Sequence, residues 1–215
     1  MASHKYTATQ DEMLSSLDTE APREAKLEPG KSGRPALLLD RDGVVNIDHG
    51  YVATCERFEF ADGIFALARR AVDCGYTVAV ITNQAGIARG YYPEAQFLAL
   101  SRWMAGEFAG HGVDLAGIFH CPYFEQAAVP AYRRDSFWRK PAPGMILEAA
   151  RRLGLDLPRS IFLGDQPTDM AAAAAAGIAT RVLIGDGAPG AATLTIRRLE
   201  DLTERLRADR GMPPD

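Results

Sequence analysis

The sequence predicts an α/β fold, a three-layer α/β/α architecture with helices on both faces of a doubly wound parallel sheet. Three observations support this prediction. Short aliphatic runs alternate with longer helical patterns, as expected for strands joined by crossover helices. The aliphatic runs are continuous, which indicates strands buried on both faces. The segments after the first and third strands are short, so we expect only minimal cap insertions.

The elements follow in order from the same patterns. Aliphatic runs predict strands at 37–39, 76–81, 115–119, 160–164 and 180–184. Predicted helices cover 11–17, 62–74, 93–110, 145–153, 171–176 and 199–207. Asp62 is the expected N-cap of the second of these helices and Gly75 ends it, while Pro93 begins the third. The alanine run ends at Gly177 and should present a thin face to the sheet.

The chain has 215 residues and is predicted to hold one domain. Residues 1–34 are polar, with proline and glycine near their end, and are assigned to an N-terminal extension and linker. Residues 35–215 form the domain, which ends in a short tail at 211–215.

Composition and charge exclude several classes of protein. The formal net charge is only −4, and no basic stripe or polybasic cluster indicates a nucleic-acid or membrane partner. No apolar stretch is long enough to span a bilayer, and the first residues lack the apolar core of a signal peptide. The three cysteines are widely spaced and odd in number, which argues against a disulfide framework and favours a cytoplasmic location.

Two carboxylates follow the first predicted strand. Asp40 ends the aliphatic run, Asp42 comes two residues later, and Gly43 turns the chain. Carboxylates this close are costly unless a cation or a shared proton relieves them. Mg²⁺ would do so, because it prefers oxygen ligands and brings waters and substrate phosphate. The alternative is a solvated Asp-Arg-Asp turn at a strand end.

Other strands end in residues that suit the same chemistry. They are Thr82 and Asn83 after the second strand, Arg139 and Lys140 after the third, and Asp165 and Asp169 after the fourth. A parallel sheet brings these ends to one edge, where carboxylates, a hydroxyl and cations can support phosphoryl transfer. Each also has a plainer interpretation as a helix cap or a solvated pair. Their joint occurrence at successive strand ends favours a catalytic site.

These motifs resemble the four motifs of the haloacid dehalogenase (HAD) superfamily of phosphatases. The segments 48–51, 82–90 and 139–145 are similar, more narrowly, to the D-glycero-D-manno-heptose 1,7-bisphosphate phosphatases, which sit beside the histidinol-phosphate phosphatases. The resemblance covers about residues 36–184. It implies a Mg²⁺-dependent, monomeric enzyme that acts on a small phosphorylated metabolite.

The resemblance also implies residue roles. Asp40 would attack phosphorus, Asp42 would serve as general acid and base, and Thr82 and Lys140 would hold the transferring phosphoryl group. Mg²⁺ would be held by Asp40, the main-chain carbonyl of Asp42, and Asp165. Asp169 would support these residues without binding the ion directly. The implied substrate-binding residues are Arg41, Asp48, His49, Gly50, Tyr51, Asn83, Gln84, Ala85, Arg139 and Gln166.

The sequence departs from the family pattern in two places. Family members usually carry a structural zinc after the third strand, but the matching positions here are Cys121, Tyr123, Ser136 and Trp138. Zinc needs about four nitrogen or sulfur ligands, so we predict no zinc, an unreactive Cys121 and an aromatic cluster in its place. That cluster would contain Tyr123, Phe124, Tyr132, Phe137 and Trp138.

The second departure is Gln166, which stands where the family commonly has a lysine that reaches the substrate. Losing this charge weakens the case for a second phosphate on the substrate. Three functions therefore stay open: a heptose 1,7-bisphosphate 7-phosphatase, a phosphatase of histidinol phosphate or another small ester, and a phosphometabolite-binding protein without turnover.

Overall fold

The computed structural model describes residues 33–206. The strands are β1 (Ala36–Leu39), β2 (Thr77–Asn83), β3 (Ile118–Cys121), β4 (Ile161–Gly164), β5 (Thr180–Ile184) and β6 (Leu194–Ile196). The helices are α1 (Ile64–Asp73), α2 (Ala85–Ala88), α3 (Glu94–Gly110), α4 (Gly144–Leu153), α5 (Pro167–Ala175) and α6 (Leu199–Arg205). Short 3₁₀ helices occur at Cys55–Arg57, Pro130–Tyr132 and Leu157–Arg159. The predicted helix at 11–17 and the tail at 211–215 lie outside the described residues.

The strands form one parallel sheet in the order β3-β2-β1-β4-β5-β6. Along β1, Leu37 and Leu39 face the layer formed by α1, α3 and α6, and Leu38 faces the layer formed by α4 and α5. Strands buried on both faces read as continuous aliphatic runs, which is what the sequence shows. The predicted three-layer architecture is confirmed.

The insertions over the sheet are minimal, as predicted. The segments 47–63, before α1, and 122–143, before α4, each contain one short 3₁₀ helix and no longer element. No helix within residues 33–206 combines the length and the apolar character needed to cross a bilayer.

Some predicted boundaries were wrong. Asp62 does not cap α1, because Gly63 occupies the N-cap with a left-handed φ of 82°. The third strand begins at Ile118 instead of Leu115, since its pairing with β2 starts opposite Val80. Leu115 is apolar because it is buried in the connection before the strand.

Three further differences concern short elements and one helix start. The alanine helix α5 begins earlier than predicted, at Pro167, and buries Ala172 and Ala173 against the sheet. Neither α2 nor the edge strand β6 was predicted. Both are too short to show a periodic pattern, and they depend on contacts with neighbouring elements.

Candidate active site

The candidate site lies at the carboxyl edge of the sheet, between β1 and β4. The strand order reverses here from one side of β1 to the other, and such switch points form ligand crevices in open α/β sheets. The main-chain N–H of Asp40 donates to the carbonyl of Leu163 (2.9 Å), which ties the end of β1 to β4. Gly43 has φ +84° and lies against the Asp165 carboxylate, where a Cβ would clash. Glycine thus lets the turn after β1 approach the residue after β4.

Lys140 lies at the centre of the site and is buried between two carboxylates. Its Nζ is 2.9 Å from Asp40 Oδ1 and 2.6 Å from Asp169 Oδ1, and it donates to the carbonyl of Ile81 (3.0 Å). Burial acts to lower the pKa of Lys140, but the carboxylates of Asp40 and Asp169 outweigh it and raise the pKa overall. The ammonium group is therefore charged in the neutral range.

The loop that carries Lys140 is held by the end of β2. Asn83 Nδ2 donates to the carbonyl of Lys140 (3.0 Å), and the Lys140 N–H donates back to Asn83 Oδ1 (3.0 Å). The pair satisfies both main-chain groups of Lys140 and sets the position from which its side chain enters the site. Asn83 was predicted to touch substrate; in the structure its amide holds the loop that carries Lys140, and the substrate contact stays a prediction.

Three carboxylates converge beside Lys140. Asp40, Asp165 and Asp169 each offer an oxygen, and these oxygens lie within 4.8 Å of one another. Burial is the main reason why the pKa of Asp40 is raised to about 7 and why that of Asp165 is also raised. Asp165 Oδ1 is buried and has no hydrogen-bond partner among residues 33–206. An all-oxygen donor set with an unused buried oxygen fits Mg²⁺.

Asp42 belongs to a second polar network. Arg41 is buried, donates from Nη2 to both Asp42 oxygens (2.6 and 2.8 Å) and reaches the carbonyl of Val52 (2.8 Å). Gln84 Nε2 donates to Asp42 Oδ2 (3.1 Å) and to Thr82 Oγ1 (2.9 Å). Arg41 and Gln84 were expected to bind substrate. In the structure Arg41 Nη2 and Gln84 Nε2 bind Asp42, while Arg41 Nη1 has no hydrogen-bond partner within residues 33–206, so their contact with substrate stays a prediction.

Two arginines lie on one ring, and one of them, Arg139, directly precedes Lys140 in the chain. The guanidinium carbons of Arg89 and Arg139 are 4.6 and 5.0 Å from the ring centroid of Phe124. Neither arginine has a salt-bridge partner within residues 33–206, and Arg89 Nε is buried without a hydrogen-bond partner. Burial is the main cause that lowers the pKa of Arg139, and the nearby charge of Arg89 adds to it. The pair forms a positive patch that an anion would stabilise.

A matching family model and similar curated proteins point to the same group. The model of HAD-hydrolase-like proteins matches residues 137–206. The D-glycero-beta-D-manno-heptose-1,7-bisphosphate 7-phosphatase of Photorhabdus laumondii is 44% identical over 181 residues, covering 81% of this chain and 96% of that protein. The Escherichia coli K12 protein of the same name is 42% identical over 179 residues, covering 80% and 94%. The chain belongs to this phosphatase family of HAD-like hydrolases.

Solved structures agree with the family assignment. A HAD-like phosphatase from Mesorhizobium loti has a TM-score of 0.75 and 34% identity, covering 86% of this chain and 91% of that one. The heptose 1,7-bisphosphate phosphatase of B. bronchiseptica, solved with magnesium and phosphate, has a TM-score of 0.68 and 30% identity, covering 80% and 97%. As a family member, this HAD-like phosphatase is a phosphoric monoester hydrolase.

The structure separates the predicted residues of this phosphatase into two groups. Those at the carboxyl edge of the sheet are Asp40, Arg41, Asp42, Thr82, Asn83, Gln84, Ala85, Lys140, Asp165, Gln166 and Asp169. Asp48, His49 and Gly50 instead lie in an exposed loop bound to itself, with His49 paired to Glu59 (2.9 Å). Tyr51 is half exposed and stacks edge-on against Tyr91 (4.6 Å).

The positions that match the family's zinc ligands hold one sulfur. Burial raises the pKa of the Cys121 thiol, consistent with an unreactive cysteine. The predicted aromatic cluster is corrected to two separate pairs, Tyr123 with Tyr132 (6.1 Å) and Phe137 with Trp138 (6.3 Å). Phe124 stacks with arginines instead.

Sequence reasoning missed three residues of the site. Asn46 donates to Asp42 Oδ1 (3.2 Å), Tyr92 donates to Gln84, and Arg89 adds a second positive charge beside Phe124. Arg89 was part of a matched motif and could have been singled out there by its charge. Asn46 and Tyr92 have no local signal, because their partners are chosen by tertiary packing.

Proposed function

We propose that this phosphatase hydrolyses D-glycero-D-manno-heptose 1,7-bisphosphate at position 7 through an aspartyl phosphate on Asp40. The observation that carries the chemistry is the buried Lys140 ammonium, 2.9 Å from Asp40 and 2.6 Å from Asp169. A carboxylate beside a fixed cation and two further carboxylates suits in-line attack on a phosphoryl group. The name of the relatives, at 42–44% identity, supports the substrate.

The proposed reaction has two steps. Asp40 attacks phosphorus while the bond to the leaving oxygen breaks, and Asp42 gives that oxygen its proton. Asp42 then takes a proton from water, which attacks the acyl phosphate and releases inorganic phosphate and the free Asp40 carboxylate. Thr82 and Lys140 hold the equatorial oxygens throughout. When bound by Asp40, the Asp42 main-chain carbonyl and Asp165, Mg²⁺ would neutralise part of the phosphoryl charge.

Binding of Mg²⁺ should release a proton in slightly acidic solution. Burial raises the pKa of metal-free Asp40 from 3.8 to about 7, so its carboxyl is mostly protonated at pH 6. A metal ligand must be deprotonated, so we expect about one proton released per ion at pH 6 and almost none at pH 8.5. Calorimetry in buffers of different ionisation enthalpy measures this number directly.

Two variants control the proton release. Asp40→Asn should abolish it, whereas Asp114→Asn, which changes an exposed carboxylate, should not alter it. Mg²⁺ binding without proton release at pH 6, or unchanged binding in Asp165→Asn, would contradict the proposed metal site.

The patch formed by Arg89 and Arg139 favours a substrate with a second phosphate. It supplies the charge that Gln166 lacks, and Gln166 Nε2 is already bound to Asp165 Oδ2 (2.8 Å). The same patch disfavours histidinol phosphate, whose amino group is positively charged. The alternative is a small ester with one phosphate, which would leave both guanidinium groups without an anion.

A phosphate-release screen should therefore include both heptose bisphosphate anomers, sugar monophosphates and histidinol phosphate. Arg139→Gln should lower kcat/KM for the bisphosphate by about tenfold to a hundredfold, since a hydrogen bond to a charged group is worth about 1.5–3 kcal/mol. Activity on sugar monophosphates should change little. Arg197→Gln, in an exposed surface pair with Asp186, is the control. Equal losses on both classes would argue against a second-phosphate site, and no release from any ester would support the non-catalytic alternative.

The proposal also keeps the remaining predictions from the sequence. They are a cytoplasmic, monomeric enzyme of one domain at 35–215 behind an extension at 1–34, with no zinc and no nucleic-acid or membrane partner. Metal analysis of purified, chelator-free protein tests the zinc prediction.

A further inference from the structure

Tyr92 lies behind the active site and contacts it through one residue. Its side chain is buried, and its hydroxyl donates to Gln84 Oε1 (2.7 Å). Gln84 is also buried and is the residue that bridges Thr82 and Asp42. A chain of hydrogen bonds therefore runs from a tyrosine that touches no reacting group to the carboxylate proposed as acid and base.

The hydrogen bonds in this series all point the same way, with Tyr92 donating to Gln84 and Gln84 donating to Asp42. The Gln84 carboxamide turns its nitrogen to Asp42 Oδ2 and Thr82 Oγ1, and its oxygen points the other way, to Tyr92. That oxygen needs a donor, because it belongs to a buried side chain. Burial raises the pKa of Tyr92 to about 12, so its hydroxyl keeps its proton and can supply the donor.

Glycine at position 86 makes room for the tyrosine ring. A Cβ on Gly86 would lie 2.5 Å from Cε1, Cζ and the hydroxyl oxygen of Tyr92. Gly86 has no left-handed φ that would itself require glycine. The steric reason for glycine here is the close approach of the Tyr92 phenol, which shows how tightly that hydroxyl is placed.

We propose that Tyr92 is a positioning residue of this phosphatase, which acts through Gln84 to hold Asp42 where it can protonate the leaving oxygen. The inference rests on the proposed function, because it takes Asp42 as the general acid. The other groups that face Asp42 are Arg41 and Asn46, which bind it directly from its own turn. Tyr92 and Gln84 are the residues of this network that follow β2 in the sequence.

The test uses the leaving group to separate the acid from the rest of the site. An alkoxide needs a proton to depart, whereas 4-nitrophenolate leaves without one. The ratio kcat/KM reports steps up to departure of the leaving group, so it isolates the first half of the reaction. Loss of Asp42 positioning should therefore reduce kcat/KM for an alkyl phosphate and spare 4-nitrophenyl phosphate.

For Tyr92→Phe we expect kcat/KM to fall about tenfold on the alkyl phosphate that the screen finds to react fastest, and less than about twofold on 4-nitrophenyl phosphate. Complete general acid catalysis is worth about 10²–10⁴-fold, and this variant misplaces the acid without removing it. Gly86→Ala, which displaces the same phenol, should show the same selective loss. In a Gln84→Ala background, Tyr92→Phe should have no further effect.

Tyr132→Phe is the matched control. It removes a tyrosine hydroxyl that donates to Glu94 Oε2 (3.0 Å), so it should cost similar thermal stability without the selective loss. Equal losses of Tyr92→Phe on both esters, or activity equal to wild type, would overturn the inference. A further loss in the Gln84→Ala background would also overturn it. If wild type hydrolyses no phosphoester, the proposed function itself fails, and that outcome is distinct from active wild type with an unaffected Tyr92→Phe.

Discussion

Asp40→Asn is expected to abolish phosphate release from every ester that the wild type hydrolyses. The amide cannot form an acyl phosphate, and removal of a covalent nucleophile costs on the order of 10⁴–10⁶ in kcat. Steady-state phosphate release with Mg²⁺ measures the loss. Asp114→Asn, on the surface, should retain wild-type kcat.

The same variant should fold, which makes its inactivity interpretable. Lys140 keeps its ion pair with Asp169 when Asp40 is neutral. In the metal-free wild type, burial raises the pKa of Asp40 from 3.8 to about 7, so the native state binds more protons than the unfolded state between those values. Its contribution to the free energy of unfolding must then fall as pH rises from about 4 to about 7.

The amide introduced by Asp40→Asn cannot titrate, so the variant should lack this component of the pH dependence. Urea unfolding of metal-free protein at several pH values compares the two slopes. Residual turnover within tenfold of wild type in a folded Asp40→Asn protein would contradict the assignment of Asp40 as nucleophile.

Lys140→Met should lose both stability and activity. The substitution leaves Asp40 and Asp169 buried without their shared cation, and breaking a buried ion pair costs about 3–5 kcal/mol. Loss of one group that stabilises transition-state charge should also lower kcat by about 10²–10³-fold. Urea unfolding and phosphate release on the same preparations measure the two effects.

The stabilising effect of Lys140 should be present throughout the neutral range. The folded-state pKa of Lys140 is raised, so its contribution is complete below the unfolded value and disappears only as pH rises through the folded value. Arg151→Met breaks a surface pair with Glu148 and should cost less than about 1 kcal/mol. If Lys140→Met were no less stable than that control, the ion pairs seen here would not hold the site together.

Local patterns in the sequence were enough to predict the fold and the edge of the sheet at which the candidate site lies. Aliphatic runs identify β1, β2, β4 and β5, because a strand covered on both faces must be apolar along its whole length. Parallel strands bring their carboxyl ends to one edge, so Asp40, Lys140 and Asp165 could be expected together from their order alone. Short elements such as β6 carry no such pattern.

The hydrogen-bond partners of individual side chains could not be predicted from the sequence. Arg41, Asn83 and Gln84 lie where the sequence predicted, but the structure turns their polar groups to Asp42, Lys140 and Thr82. No pattern in the sequence predicted that Tyr92 would bind Gln84 in the site.

The sequence by itself determined the layers of this protein, the strand ends that meet, and the acidic and basic residues available there. Only the tertiary structure decided which carboxylate Lys140 contacts, which oxygen of Asp165 is left without a partner, and which way Gln84 faces. The physical reason is how far apart along the sequence the residues that decide each property lie. Burial and chain direction follow from neighbours a few residues apart, whereas the choice of a hydrogen-bond partner depends on which groups compete for it after distant segments have packed.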